Sequence, residues 1–181
     1  EPIDSPVLFA PDHVGTEQAL ANSSMEYTIL RNNLYMGLLI PSLSQALASG
    51  KMYRATGDGK VSYITREDCA QAAAAALTTS FEGERILDIT GPEALSQSEI
   101  AEIASSITGK PLEYVPVELE AVINGMVSAG LPQPVAEVFA SIDTAIAQGK
   151  FETVSPAFEE LTGQKPTSIK SLLTANQPAL V

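Results

Sequence analysis

Residues 27–35 read Tyr-Thr-Ile-Leu-Arg-Asn-Asn-Leu-Tyr. The stretch begins β-branched and aromatic, as strands do, then stops on a cation and two amides. As a buried strand of a parallel sheet it would carry Arg31, Asn32 and Asn33 at its carboxyl end, where open parallel sheets bind ligands. Two readings of these residues stand open. Arg31 makes a structural ion pair while the amides satisfy a turn. Alternatively Asn32 or Asn33 borders a site, with Tyr35 close behind.

Working outward, the opening Glu1–His13 segment contains three prolines and reads as a loop. Residues 14–24 read as a short helix. Ile40–Gly50 starts a helix near Pro41 and stops it on Gly50. Lys51–Thr65 holds two short strands around Gly57-Asp58-Gly59, a tight-turn signal expected to make a hairpin. Thr65–Ser80 is the clearest helix, alanine-rich, with Thr65 and Asp68 spaced as a capping box. Glu84–Thr90 is another strand. Leu95–Lys110 is a helix with Ile100, Ile103, Ala104 and Ile107 on one face and Gly109 as its stop. Residues 111–117 are extended. Two further helices flank Leu131-Pro132-Gln133-Pro134, and two short ones end the chain. Strands alternate with helices at first, and helices dominate from about residue 96. The fold class is α/β.

The chain has 181 residues and a net charge of −12. An anionic surface argues against nucleic acid and against anionic membranes as partners. The single Cys69 excludes an internal disulfide and a Cys-rich metal site, which fits a cytoplasmic location. No apolar run approaches the ~20 residues of a membrane span, and no signal peptide is visible. No nucleophile elbow, zinc motif or phosphate-binding loop occurs, so no metal is expected. The one histidine, His13, lies four residues before Glu17. It is either an exposed or capping residue, or a polar group at the mouth of a site.

His13-x-x-x-Glu17, then Tyr27-Thr28-x-Leu30-Arg31-Asn32-x-x-Tyr35, resembles the NmrA-like, atypical short-chain dehydrogenase/reductases, in particular the branch that reduces quinones and triphenylmethane dyes. The likeness continues through Gly57–Leu77, Gly83–Lys110 and Val127–Glu152. It implies an NADP or NAD cofactor and a small aromatic or quinone substrate. It also implies that the chain matches only the carboxyl-terminal part of such a protein, without the Gly-rich turn that cradles the pyrophosphate. The first residue, Glu1, agrees with a fragment. On this resemblance, residues 1–90 are the remaining carboxyl-terminal portion of a Rossmann-type parallel sheet, with 41–64 making an excursion toward the substrate side. Residues 91–181 are a mostly helical substrate-binding lobe.

The same resemblance assigns cofactor contacts to His13, Arg31, Asn32 and Asn33, and a catalytic role to His13, as a ribose contact or a proton donor to a quinone oxygen. It gives substrate contacts to Tyr35, Met126, Leu131 and Phe139. The last three either line the pocket or fill the lobe's own core. The Tyr-x-x-x-Lys pair of most short-chain dehydrogenases falls on Phe9 and His13, so neither residue of the usual acid pair is present. Three functions follow. One is a reductase of electron-poor acceptors, inactive in this portion alone. Another is a non-catalytic NAD(P) sensor acting through a protein partner. The third is a stand-alone module that dimerises, or recruits a missing amino-terminal half, through an exposed sheet edge.

Overall fold

The computed structural model describes residues 4–180. In chain order come α1 (Ala10–Ala21), β1 (Tyr27–Asn32), a 3-10 turn at Met36–Leu38, α2 (Leu39–Ser49), β2 (Lys51–Arg54), β3 (Lys60–Val61) and α3 (Arg66–Thr78). Then follow β4 (Glu84–Ile89), β5 (Leu95–Ser96), α4 (Gln97–Thr108), β6 (Glu113–Pro116), α5 (Leu119–Ser128), α6 (Gln133–Ala147), α7 (Ala157–Thr162), α8 (Ile169–Ala175) and α9 (Gln177–Leu180).

Local chemistry sets most boundaries. α4 opens on a full capping box: Ser96 Oγ accepts from Glu99 N–H, and Glu99 Oε2 accepts from Ser96 N–H. Its helix stop Gly109 takes φ +70°, as Gly50 after α2 takes φ +75°. α3 is capped by Thr65, whose hydroxyl accepts from Asp68 N–H. The expected capping box there is only half made. The Asp68 carboxylate accepts instead from the backbone N–H and hydroxyl of Thr167, 99 residues away. α1 starts earlier than expected, at Ala10, because Pro11 in its first turn has a suitable φ and no amide to satisfy.

β1 and β4 run parallel in register from Tyr27–Glu84 to Asn32–Ile89. β2 pairs parallel with β6, and β3 pairs antiparallel with β5. The Gly57–Gly59 hairpin is therefore corrected. Gly59 N–H does close a turn onto Thr56 O at 3.0 Å, but the flanking strands pair elsewhere. Glycine is needed at 59 for room: a Cβ there would sit 2.1 Å from the backbone oxygen of Ile146, at the end of α6.

Two cores result. The larger joins Met36, Leu39, Leu43 and Leu47 to Ile100, Ala104, Ile146, Ile169, Leu173 and Leu180. The smaller packs Ile64, Cys69, Ala72, Ile89 and Phe158 beneath β1 and β4. Burial first, then the Asp68 carboxylate, pushes the Cys69 thiol up to about 11, so it stays a neutral core group. No described helix is long and apolar enough to cross a membrane.

Candidate functional site

The carboxyl end of β1 meets three other pieces of chain. Asn33 N–H extends the parallel ladder by donating to Ile89 O at 3.0 Å. Its side-chain amide donates to Ser62 Oγ at 2.8 Å and to Phe151 O at 3.0 Å, and its oxygen accepts from Leu34 N–H. Ser62 Oγ donates onward to Thr153 O at 2.5 Å. Ser155 N–H donates to the buried Thr90 hydroxyl. Residues 151–155 thus form a strap pinned across the tips of β1 and β4. Both amide donors of Asn33 are committed to holding it. Asn32, one residue earlier, is exposed at the tip.

Arg31 has its side chain on the sheet face opposite the smaller core, and α1 supplies its partner. Its Nε and Nη2 grip the two carboxylate oxygens of Glu17 at 2.8 and 2.6 Å. The bonded guanidinium holds the Glu17 carboxyl below the usual carboxylate range. A depressed carboxylate stabilises the fold above its unfolded pKa of ~4.3, and that contribution is lost as pH falls through the folded value. Glu17→Gln is accordingly expected to cost about 0.5–1 kcal/mol at pH 7, and less at an acid pH where the folded carboxylate is protonated. Urea unfolding at the two pH values measures this; an equal cost at both would refute it.

His13 is exposed one turn before Glu17, with its ring edge-on to Phe9 at 5.9 Å between centroids. The segment before α1 lies on α6. Leu8 N–H donates to Ser141 Oγ, and Val7 and Ala10 pack on Ala145. So α1, which bears His13, is fastened at one end to the helix that bears Phe139.

Tyr35 is partly buried, bridged to Ile64, with the Arg66 guanidinium 5.2 Å over its ring. Met126 and Leu131 are half-buried. Phe139, Val127 and Val135 are 45%, 40% and 42% exposed, so the lobe's core does not absorb them. In these two helices Val122, Ala136 and Ala140 are the buried apolar residues instead, with Ala145 and Ile146 at the end of α6. The α5–α6 pair therefore offers solvent a row of apolar side chains. Among the described residues, no hydrogen bond or ring contact joins this row to the β1 tip.

A cleft lies elsewhere. It holds about 490 Å³ at the amino end of β1, between Tyr27, Thr28, Leu30 and the Ala73, Ala76 and Leu77 side of α3. None of the sequence-derived site residues lines it. The strand tips keep the stronger claim to a reaction site, because open parallel sheets place ligands at carboxyl ends. Among the described residues, no group of three or more acidic, histidine or cysteine side chains is placed to hold a metal. Phe151 of the strap, and Ser62 and Thr90 that hold it, were not singled out from sequence, because nothing local marks residues whose partners are 89 and 65 positions away.

No family model matches the chain. It is 30% identical over 165 residues to quinone oxidoreductase 2 of Escherichia coli, covering 91% of this chain and 58% of that protein. It is 27% identical to the NAD(P)H azoreductase of Xenophilus azovorans, covering 97% of this chain and 62% of that one. Among solved structures, the E. coli NADPH-dependent quinone oxidoreductase complexed with NADPH superposes with a TM-score of 0.91 at 28% identity, over 96% of this chain and 62% of that chain. The Citrobacter sp. triphenylmethane reductase complexed with NADP(H) gives 0.86 at 31% identity, over 96% and 61%. The chain thus spans about three-fifths of the length of these relatives.

Proposed function

We propose that the chain, similar to quinone and dye reductases over about three-fifths of their length, is NmrA-like and forms the substrate-side portion of an NAD(P)H-dependent reductase of quinones or similar electron-poor aromatic acceptors. The observation that carries this reading is the parallel β1 tip, with exposed Asn32 beside Arg31, in a chain whose fold follows an NADPH-bound quinone oxidoreductase at a TM-score of 0.91.

The residues present fit one end of a nicotinamide cofactor. Exposed Asn32 at the strand tip and the backbone beside it supply hydrogen-bond groups for a carboxamide. No Gly-rich strand–turn–helix occurs among the described residues, so they do not fit the pyrophosphate. When bound, the cofactor supplies the hydride. The protein's part is to position two flat rings and exclude water.

We assign residues 1–90 to the cofactor side, with 41–64 reaching toward the substrate, and residues 91–181 to the substrate lobe. The role of Asn33 becomes indirect: its amide sets the strap while its neighbour faces the ligand. His13 stands at the exposed start of α1 as the proton donor or ribose contact. Tyr35, Met126, Leu131 and Phe139 supply ring-contacting surface. An acceptor already electron-poor needs little acid assistance, which suits Phe9 in the place of an acidic tyrosine.

The test is NADPH oxidation with a panel of quinones and triarylmethane dyes, by this chain alone and by the chain joined to a nucleotide-binding amino-terminal portion. The joined protein is expected to turn over and the chain alone is not. Tight NADPH binding by the joined protein with no oxidation of any acceptor would favour the sensor reading instead.

A further inference from the structure

The α5–α6 pair is tied down unevenly. On α6, Ala140, Asp143, Ala145 and Ile146 are buried, Arg54 bonds Asp143, and Ser141 Oγ accepts from Leu8 N–H. On α5 the one buried residue is Val122. Between Val122 and Ala136 runs an elbow, residues 123–135, in which no residue is buried. Among the described residues its one side-chain hydrogen bond, Gln133 Nε2 to Glu137 Oε1, stays within α6.

The backbone of the elbow is built to give. Gly125 lies inside α5, is not at positive φ, and would meet nothing within 4 Å if it carried a Cβ. Neither conformation nor packing asks for glycine there, and glycine inside a helix weakens it. Gly130 turns at φ +97°, and Pro132 and Pro134 follow. The turn closes only on α5 itself, Gly130 N–H to Val127 O at 2.9 Å and Leu131 N–H to Met126 O at 3.1 Å. A segment so little buried opens locally at far lower cost than a core helix.

Its surface points to what it meets. Residues 121–136 read Ala-Val-Ile-Asn-Gly-Met-Val-Ser-Ala-Gly-Leu-Pro-Gln-Pro-Val-Ala, without one charge, in a chain of 10 basic and 22 acidic residues. Ile123, Met126 and Leu131 are half-buried, Val127 and Val135 are exposed, and exposed Phe139 follows one turn along α6. Uncharged apolar side chains suit a flat ring, and methionine adapts to rings of different outline.

We infer that residues 126–131 are a lid, hinged at Gly125 and at the Pro132–Pro134 turn, which closes Met126, Val127 and Leu131 over a flat aromatic molecule seated on Phe139. α6 stays fixed to the body through Asp143 and Ser141 and serves as the frame against which the lid moves. The choice of an electron-poor acceptor as the molecule enclosed rests on the reading above; the opening of the elbow does not.

Hydrogen exchange on the 181-residue chain, read amide by amide, tests the lid. The 126–131 amides are expected to exchange roughly a hundredfold faster than those of 140–146. Gly125→Ala should slow them about four- to fivefold and leave α4 unchanged, the ratio set by alanine over glycine in a helix. Menadione added to the chain should slow the same amides and leave α8 unmoved, and Phe139→Ala should weaken its binding roughly tenfold. Elbow amides as protected as those of 140–146 overturn the proposal. So do menadione binding that leaves them unmoved, no menadione binding at all, and binding that Phe139→Ala does not weaken. Sedimentation showing self-association with these amides protected also overturns it, and makes the patch an interface between two copies. A joined protein that oxidises NADPH with menadione while the 126–131 amides stay unmoved keeps the reductase reading and removes the lid. Amides slowed by menadione without any NADPH oxidation keep the lid and remove that reading.

Discussion

A Gly91→Ala variant is expected to unfold roughly 10 °C below the parent, a loss on the order of 3–4 kcal/mol for a chain of this size. The reason is space, since Gly91 is not among the glycines at positive φ. A Cβ at 91 would stand 1.9 Å from the backbone oxygen of Tyr63 and 3.4 Å from Met36 Cε. The methionine tip can move, but the Tyr63 carbonyl cannot. Its neighbours are fixed on both sides: Ser62 N–H donates to Phe151 O, Ile64 N–H to Leu34 O, and Gly91 N–H itself to Ser62 O. Relief therefore means separating β4 from the 62–64 segment, and with it the strap that Asn33 holds. Thermal unfolding measures the effect, and a shift under ~2 °C would show that the crossing yields.

Arg54→Ala is expected to cost about 3–5 kcal/mol, because it strands a buried carboxylate. Asp143 is 1% exposed and accepts from Arg54 Nε at 3.0 Å, from Arg54 Nη2, and from Ala55 N–H at 2.9 Å. Without the guanidinium only the Ala55 amide remains among these partners. The reverse change, Asp143→Ala, should cost less, about 1–3 kcal/mol, since the Arg54 side chain is already 25% exposed and can turn to water. The asymmetry is the informative part. Urea denaturation of both variants should rank Arg54→Ala as the worse, and equal losses would mean that packing and not charge holds α6 to β2.

Several elements were legible because their causes are local. The α4 boundaries follow from Ser96, Glu99 and Gly109, and β1 from a β-branched apolar run. The reading went wrong where a local signal had a distant competitor. Gly57-Asp58-Gly59 does make a turn, but β6 and β5 offered better partners than the two strands it joins. Asp68 has the right spacing to cap α3, but Thr167 presents two donors to it. At the site, Arg31–Glu17 accords with the structural reading of that arginine. Asn33 proved to be a fastener for a strap that no motif announced.

By itself the sequence determined where most helices and strands form, that the chain is α/β, and that the strand at 27–32 ends in polar groups. Each of these depends on interactions within a few residues. Tertiary structure alone decided which strands pair, that residues 151–155 cross the strand tips, that Asp143 finds Arg54, and that Phe139 stays outside the core. These outcomes join residues far apart in the chain, and they are fixed by which surfaces can be buried together, a property of the whole packed molecule and not of any one stretch.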